Sequence, residues 1–228
     1  MKRLLVYLVI FSSVCFYSCS SVNKSRVDTK ETNKILLESY IASNEFREEL
    51  SLRGKNWDKK LGIQLSCRSD YLATPTSYWI LRPIKFKQGT KIPSEGAWTV
   101  RYKLLRCGRS IIYNVIAVAQ KGGRLKLGIL VPGTTRCSPT LIKDMFLGVH
   151  GMVVIKGKNK DCKDINVLDT KVSSGPITIT ENGKKYEGVW EEKWLVQNCG
   201  EHLLLPFCFI PKTTGGTTWI GKQCSDLQ

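Results

Sequence analysis

Two stretches decide the fold: "EGAWTVRYKLLRCG", Glu95–Gly108, and "EGVWEEKWLVQNCG", Glu187–Gly200. Both read Glu-Gly-x-Trp-x3-aromatic-x4-Cys-Gly with identical spacing. Agreement in the Trp, aromatic and Cys-Gly positions together marks an internal repeat, which fixes the architecture before any single element is considered. The match extends outward. Pro83-Ile84-Lys85-Phe86 corresponds to Pro176-Ile177-Thr178-Ile179. Gly122-Gly123 corresponds to Gly215-Gly216 after one inserted residue, and Gly128 to Gly221. Cys67 is paired with Cys162 in this alignment, and Cys137 with Cys224. Each copy covers about 70 to 75 residues.

Within each copy the pattern is that of strands. "AWTVRYKLL" and "VWEEKWLV" are aromatic and β-branched runs that stop at Cys-Gly, where glycine suits a tight turn. "SIIYNVIAVA" and "HLLLPFCFI" follow, the former apolar enough to suggest burial on both faces. The glycine pairs then supply the positive φ of a hairpin, and "LKLGILV" or "TTWIG" returns. The expected unit is a four-stranded antiparallel meander.

Helical spacing lies outside these runs. Ile35, Leu36, Tyr40, Phe46 and Leu50 recur as one helix face, with Thr32 as a candidate N-cap and Gly54 as the stop. "SPTLIKDMFLGV" offers Ser138 as N-cap and Pro139 at the first helical position. The expected layout is a signal peptide at 1–19, a polar tether at 20–30 and a helix at 31–54. A first, basic β unit at 55–150 would carry a trailing helix at 138–149, and a second unit would occupy 151–228. The fold class is α+β and β-dominant, with two related disulfide-stabilised meander units in tandem, each preceded by a helix.

Lys2 and Arg3 precede an apolar run from Leu4 to about Tyr17, too short to span a bilayer and followed by small polar residues, as in a secretory signal. Phe16-Tyr17-Ser18-Cys19 resembles a bacterial lipobox, which implies lipidation of Cys19. Aromatic Phe16 and Tyr17 depart from its usual Leu and small residue, and a cut after Ser20 is the alternative. Export makes disulfides the default state of Cys67, Cys107, Cys137, Cys162, Cys199, Cys208 and Cys224, an odd set that leaves one thiol over. Neither a C-x-x-C pair nor a companion for His150 or His202 at ligand spacing is present, so no metal or other cofactor is expected.

The formal charge of +16 is unevenly placed. Residues 61–150 carry fourteen Lys and Arg against three Asp and Glu, whereas 151–228 carry ten against nine. A repeat that folds with either balance does not need the cations for folding. Arg82, Lys85, Lys87, Arg101, Lys103, Arg106 and Arg109 are therefore the candidate contacts to an anionic partner. That partner would be lipid, lipopolysaccharide or a cell-wall polymer, with a protein partner as the alternative and nucleic acid disfavoured by export and by the lack of a recognisable module.

A nucleophile paired with a base is not visible. A duplicated Cys-Gly is more economically a disulfide at a turn, and Glu95 and Glu187 open ordinary turns. Trp98, Trp190 and Trp194, with Tyr102 matching Trp194, are read as packing; Trp57, Trp79 and Trp219 have no match between copies and are freer for a surface role. The run from Trp190 through Cys199-Gly200 to Gly215-Gly216-Thr217 resembles a Trp-x3-Trp-x4-Cys-Gly … Gly-Gly-Thr motif of uncharacterised exported bacterial proteins. That resemblance implies an envelope or secreted origin and no chemistry. The expectation is a non-catalytic binding or scaffolding protein of the envelope, in the outer membrane or periplasm. The alternatives are a secreted virulence or host-interaction factor and, behind it, an envelope enzyme.

Overall fold

The computed structural model describes residues 29–62, 71–120, 123–181 and 183–227. The signal, Cys19, most of the tether and Cys67 lie outside the described residues. Two helices, α1 (Thr29–Ile41) and α2 (Asn44–Lys60), precede four strands: β1 (Leu72–Phe86), β2 (Pro93–Arg106), β3 (Arg109–Gln120) and β4 (Arg124–Ile129). Helix α3 (Pro139–Lys156) then precedes β5 (Ile165–Glu181), β6 (Lys184–Asn198), β7 (Glu201–Pro211) and β8 (Thr217–Ile220), and a 3-10 turn closes at Cys224–Leu227. Each set of four strands is an antiparallel sheet in sequence order. The fold is thus two helix-plus-meander units in tandem.

The pairing register measures the repeat. Trp98 faces Ala117 and Trp190 faces Phe209; Ala119 faces Leu125 and Pro211 faces Thr217. These second-unit residues stand 92 positions after their counterparts, whereas β5 is displaced further, since Thr170 pairs with Trp194 as Pro75 pairs with Tyr102. The inserted residue expected from the glycine pairs is therefore not there. Gly123 matches Gly215, Arg124 matches Gly216, and Trp219 does have a counterpart, Leu127. Conformation rather than a Gly-Gly signature is shared, since Gly123 and Gly215 both have positive φ. At the Cys-Gly turns all four residues are left-handed: Cys107 at 49°, Gly108 at 71°, Cys199 at 46° and Gly200 at 87°. Two successive positive φ values make a two-residue hairpin turn whose twist suits the flanking strands, which offsets the roughly 1 kcal/mol a left-handed cysteine costs.

The repeated aromatics build two cores, not one shared between copies. Trp98, Val100, Tyr102 and Leu104 on β2 are fully buried against Leu37, Ile41, Phe46 and Leu50 of α1 and α2. Trp190, Trp194 and Val196 on β6, with Phe207 and Phe209 on β7, are buried against Ile142, Met145, Val149 and Val153 of α3. The back of the second sheet is covered by Cys224 and Leu227 packed on Ile179, Val189 and Ile210.

Several helix expectations need correction. The expected 31–54 helix is two helices, broken where Ser43 caps the second by accepting from Phe46 N at 3.3 Å. Its phase is set by Leu37 and Ile41, leaving Ile35 and Leu36 exposed. The first helix begins at Thr29, ahead of Thr32 and inside the expected tether. Gly54 does not stop α2. It lies inside the helix where a Cβ would stand 2.4 Å from Leu104 Cδ2, so it is there for close approach. The expected 138–149 helix runs on to Lys156, because Gly148 is needed for the same reason, with Trp219 lying across it.

Cys162–Cys199 and Cys208–Cys224 are disulfides, and Cys107 is disulfide-bonded as well. Cys137 is a buried free thiol, contrary to its place among the disulfide candidates. The register explains why. At the 92-residue offset Cys208 corresponds to Ile116 of the first unit and Cys224 to Pro132, so that unit has no cysteines at the places of a matching bridge.

Candidate functional site

Strand alternation sorts the cations. Trp98, Val100, Tyr102 and Leu104 point to the helices, so Thr99, Arg101 and Lys103 point to the opposite, outer face. On β1, Ile84 and Phe86 pack into the core and leave Lys85 and Lys87 outside. The outward set nonetheless does not form one patch. Lys85 and Lys87 lie at one end of the β1–β2 pair, and Lys103 and Arg109 at the other, beside the Cys107-Gly108 turn. Lys85 is paired with Glu95 at 2.7 Å, while Arg82, Lys87, Lys103 and Arg109 are exposed.

Arg106 drops out of the candidate set. It turns inward to an ion pair with the buried Asp58 of α2, which also accepts from Tyr113 Oη at 2.7 Å. Its work is to neutralise a carboxylate taken out of water, and losing one partner of such a pair typically costs about 3–5 kcal/mol.

Arg101 is the unusual member. Its Nε donates to Asn114 Oδ1 at 2.9 Å and its Nη2 to the carbonyl of Thr135. Asn114 in turn donates to the carbonyls of Val131 (2.8 Å) and Gly133 (2.9 Å). These acceptors are all neutral. Among the described residues no carboxylate lies within ion-pair distance of Arg101. Burial pulls the guanidinium below its usual value, and the charge of Glu192 draws it partly back. The Arg101 guanidinium also sits 5.8 Å from the centroid of Trp79, an exposed indole on β1.

Residues 130–137, the segment from β4 to α3, tie this face to the second sheet. Thr134 N donates to Thr170 O at 2.6 Å, Thr170 Oγ1 to Pro132 O at 2.5 Å, and Arg136 N to Glu192 Oε1 at 2.8 Å. Glycine is required at 133, where φ is 96° and a Cβ would stand 2.0 Å from Thr170 O. Glu192 itself is wholly buried. It accepts Trp190 Nε1 on Oε1 and Trp194 Nε1 on Oε2, each at 2.9 Å. The Trp-x3-Trp spacing therefore has a polar purpose that the sequence reading missed: β6 alternation puts both indoles on the face of the carboxylate midway between them. Cys137 Sγ lies 3.9 Å from the same carboxylate. Its thiol is pushed well up by burial and then by that charge, so it is a poor nucleophile.

Beside Arg101 is a cavity of about 560 Å³, between the β1 edge and the start of α3. Trp79, Ile80 and Leu81 form one wall, Leu130 and Ile142 the other, and Arg101 and Asn114 the polar part, with Arg136 at the second wall. Among Trp57, Trp79 and Trp219, only Trp79 is exposed. Trp57 packs on the first core, and Trp219 packs 5.9 Å from Phe207. His150 and His202 are both exposed, and among the described residues no cluster of three His, Cys, Asp or Glu is placed to hold a metal. No described helix is long and apolar enough to cross a membrane.

No family model, curated protein or solved structure matches the chain.

Proposed function

We propose that this is an exported bacterial envelope protein, lipid-anchored through Cys19, that binds an anionic partner on the outer face of its first sheet and catalyses no reaction. The observation that carries the binding half is Arg101: a half-buried cation held by neutral acceptors beside an open cavity. A charge removed from water is stable when an opposite charge completes it. The two partners it has fix its orientation without neutralising it, and the exposed Arg82, Lys87, Lys103 and Arg109 add a field that draws anions toward the same unit. The exported, anchored half is supported by the Lys2-Arg3 and Leu4–Tyr17 pattern, by the lipobox resemblance at Cys19 and by the oxidised cysteines.

An anionic fluorescent probe such as anilinonaphthalene sulfonate tests the first half. Binding to the wild type should weaken with added salt and by about tenfold in Arg101→Gln, the loss of one charge-assisted contact. Salt-independent binding, equal in the variant, overturns it. Metabolic labelling with a fatty acid should mark the wild type and not Cys19→Ala; an unlabelled wild type removes the anchor.

A further inference from the structure

We infer that the cavity beside Arg101 binds a small amphiphile with one anionic head group and an extended apolar body, a proposal that rests on the anionic-partner reading above and names the ligand class. Size comes first. At about 560 Å³ the cavity falls within the range that takes a small ligand, and its walls have the composition of such sites, mostly apolar with few convergent polar groups.

The apolar walls are unfinished surface. Trp79 is 54% exposed and Leu81 43%, large apolar side chains on an edge strand that stay in contact with water unless something covers them. A simple anion would leave these walls wet. A neutral oil would cover them but leave Arg101 uncompensated. One head group with a single negative charge, attached to an apolar body, satisfies both.

The head group has its place defined. Arg101 is oriented by Asn114 and Thr135, using one N–H on Nε and one on Nη2. The guanidinium has five N–H groups in a fixed fork, so three remain for an anion. Asn114 cannot swing away, since its own N–H groups are committed to Val131 and Gly133. Trp79 sits against the guanidinium and offers an apolar face next to the charge, where the first carbons behind a head group would lie. Arg136, the second cation at the wall, is exposed and adds attraction without fixing geometry.

The test is calorimetric titration of the full chain with dodecanoate, dodecanol and acetate, together with phosphatidylglycerol vesicles. Dodecanoate should bind about tenfold or more tightly than either dodecanol or acetate. Arg101→Gln should erase its advantage over dodecanol, while Trp79→Ala should weaken dodecanoate and dodecanol alike. Because Arg101 also holds the 130–137 segment, a second measurement stands apart from that variant. A brominated dodecanoate should quench tryptophan fluorescence in the wild type and quench it less in Trp79→Phe. If acetate binds as tightly as dodecanoate, the amphiphile is wrong and the anionic reading survives. Equal binding of dodecanol and dodecanoate overturns both, as does no binding of any ligand. Binding to vesicles alone places the anion on a membrane surface and overturns the cavity.

Discussion

Glu192→Val places in the second unit the residue that its 92-residue counterpart, Val100, supplies in the first. The substitution removes the acceptor for Trp190 Nε1 and Trp194 Nε1, both at 2.9 Å, and for the amide of Arg136 at 2.8 Å. The two indoles are buried and are left without an acceptor. Each stranded buried donor costs about 1–3 kcal/mol. Relief from keeping a carboxylate in the core opposes this, and about 3 kcal/mol of net loss is expected. That is a large part of the 5–15 kcal/mol typical of whole domains. Urea unfolding followed by circular dichroism reads it as a fall in midpoint at constant slope. Trp194→Phe in the Glu192→Val background supplies the decisive comparison. It removes one stranded donor, so the two changes should couple by about 1 kcal/mol or more in a double-mutant cycle. Additive losses, or a Glu192→Val cost below about 1 kcal/mol, would refute the carboxylate as the acceptor joining the two indoles.

Three further outcomes follow from other parts of the molecule. Peptide mapping without reduction should recover Cys162–Cys199, Cys208–Cys224 and, by the repeat that equates Cys67 with Cys162, Cys67–Cys107, with Cys137 alkylated only after unfolding; a bridge to Cys137 contradicts the register. Alkaline stability should fall in two stages: burial first, then Glu192, raises the Cys137 thiol above 9.0, and burial with Asp58 raises Tyr113 and Tyr102 above 10.0. The native state then keeps protons that the unfolded chain loses, so stability is full below about pH 9 and declines above it by up to about 1.4 kcal/mol per pH unit per group. Cys137→Ala should delete the first stage, and a melting temperature flat to pH 11 would contradict the burial of all three. In α3, Gly148→Ala should cost about 1–3 kcal/mol, because the new Cβ would stand 2.2 Å from Trp219, whereas Gly151→Ala meets open space and should gain up to about 1 kcal/mol. Equal melting temperatures for the two variants would mean that α3 does not pack as described.

The repeat, its strands and its Cys-Gly turns were legible because each rests on local chemistry: alternation for the strands, glycine for the positive φ, aromatic mass for the core. What local pattern could not deliver was register and partner. The glycine pairs suggested an insertion because Gly-Gly looks like a signature, yet the second glycine of one pair, Gly123, matches the first of the other, Gly215. Gly54 looked like a helix end because packing across a helix has no sequence period. Arg106 looked like Arg101 on the same strand, yet it stands five residues on and so falls on the helix-facing side, where Asp58 takes it. Asn114 and Glu192 were passed over entirely. An isolated polar residue in an apolar strand, as Asn114 is in "IIYNVIAV", was the available signal for one. The acidic pair inside "WEEKW" was the signal for the other.

The two units differ most where the segment between them crosses. At matched positions the first has Arg101 and Asn114 where the second has Lys193 and Pro206, and the first has Val100 where the second has Glu192. Pro206 lacks the side-chain amide with which Asn114 holds the carbonyls of Val131 and Gly133. Val100 in turn gives Trp98 Nε1 no acceptor, and that buried indole has no partner among the described residues. The differences are complementary. The second unit supplies the carboxylate that accepts the Arg136 amide, and the first supplies the pair that holds the carbonyls of Val131, Gly133 and Thr135. A cation fixed against neutral acceptors, with an apolar edge strand at its side, lies where the crossing segment meets the first sheet. The cavity beside it is lined by residues from Trp79 to Ile142, and that placement is the physical reason to look for the ligand at Arg101 and Trp79 rather than among the cations that decorate the first sheet.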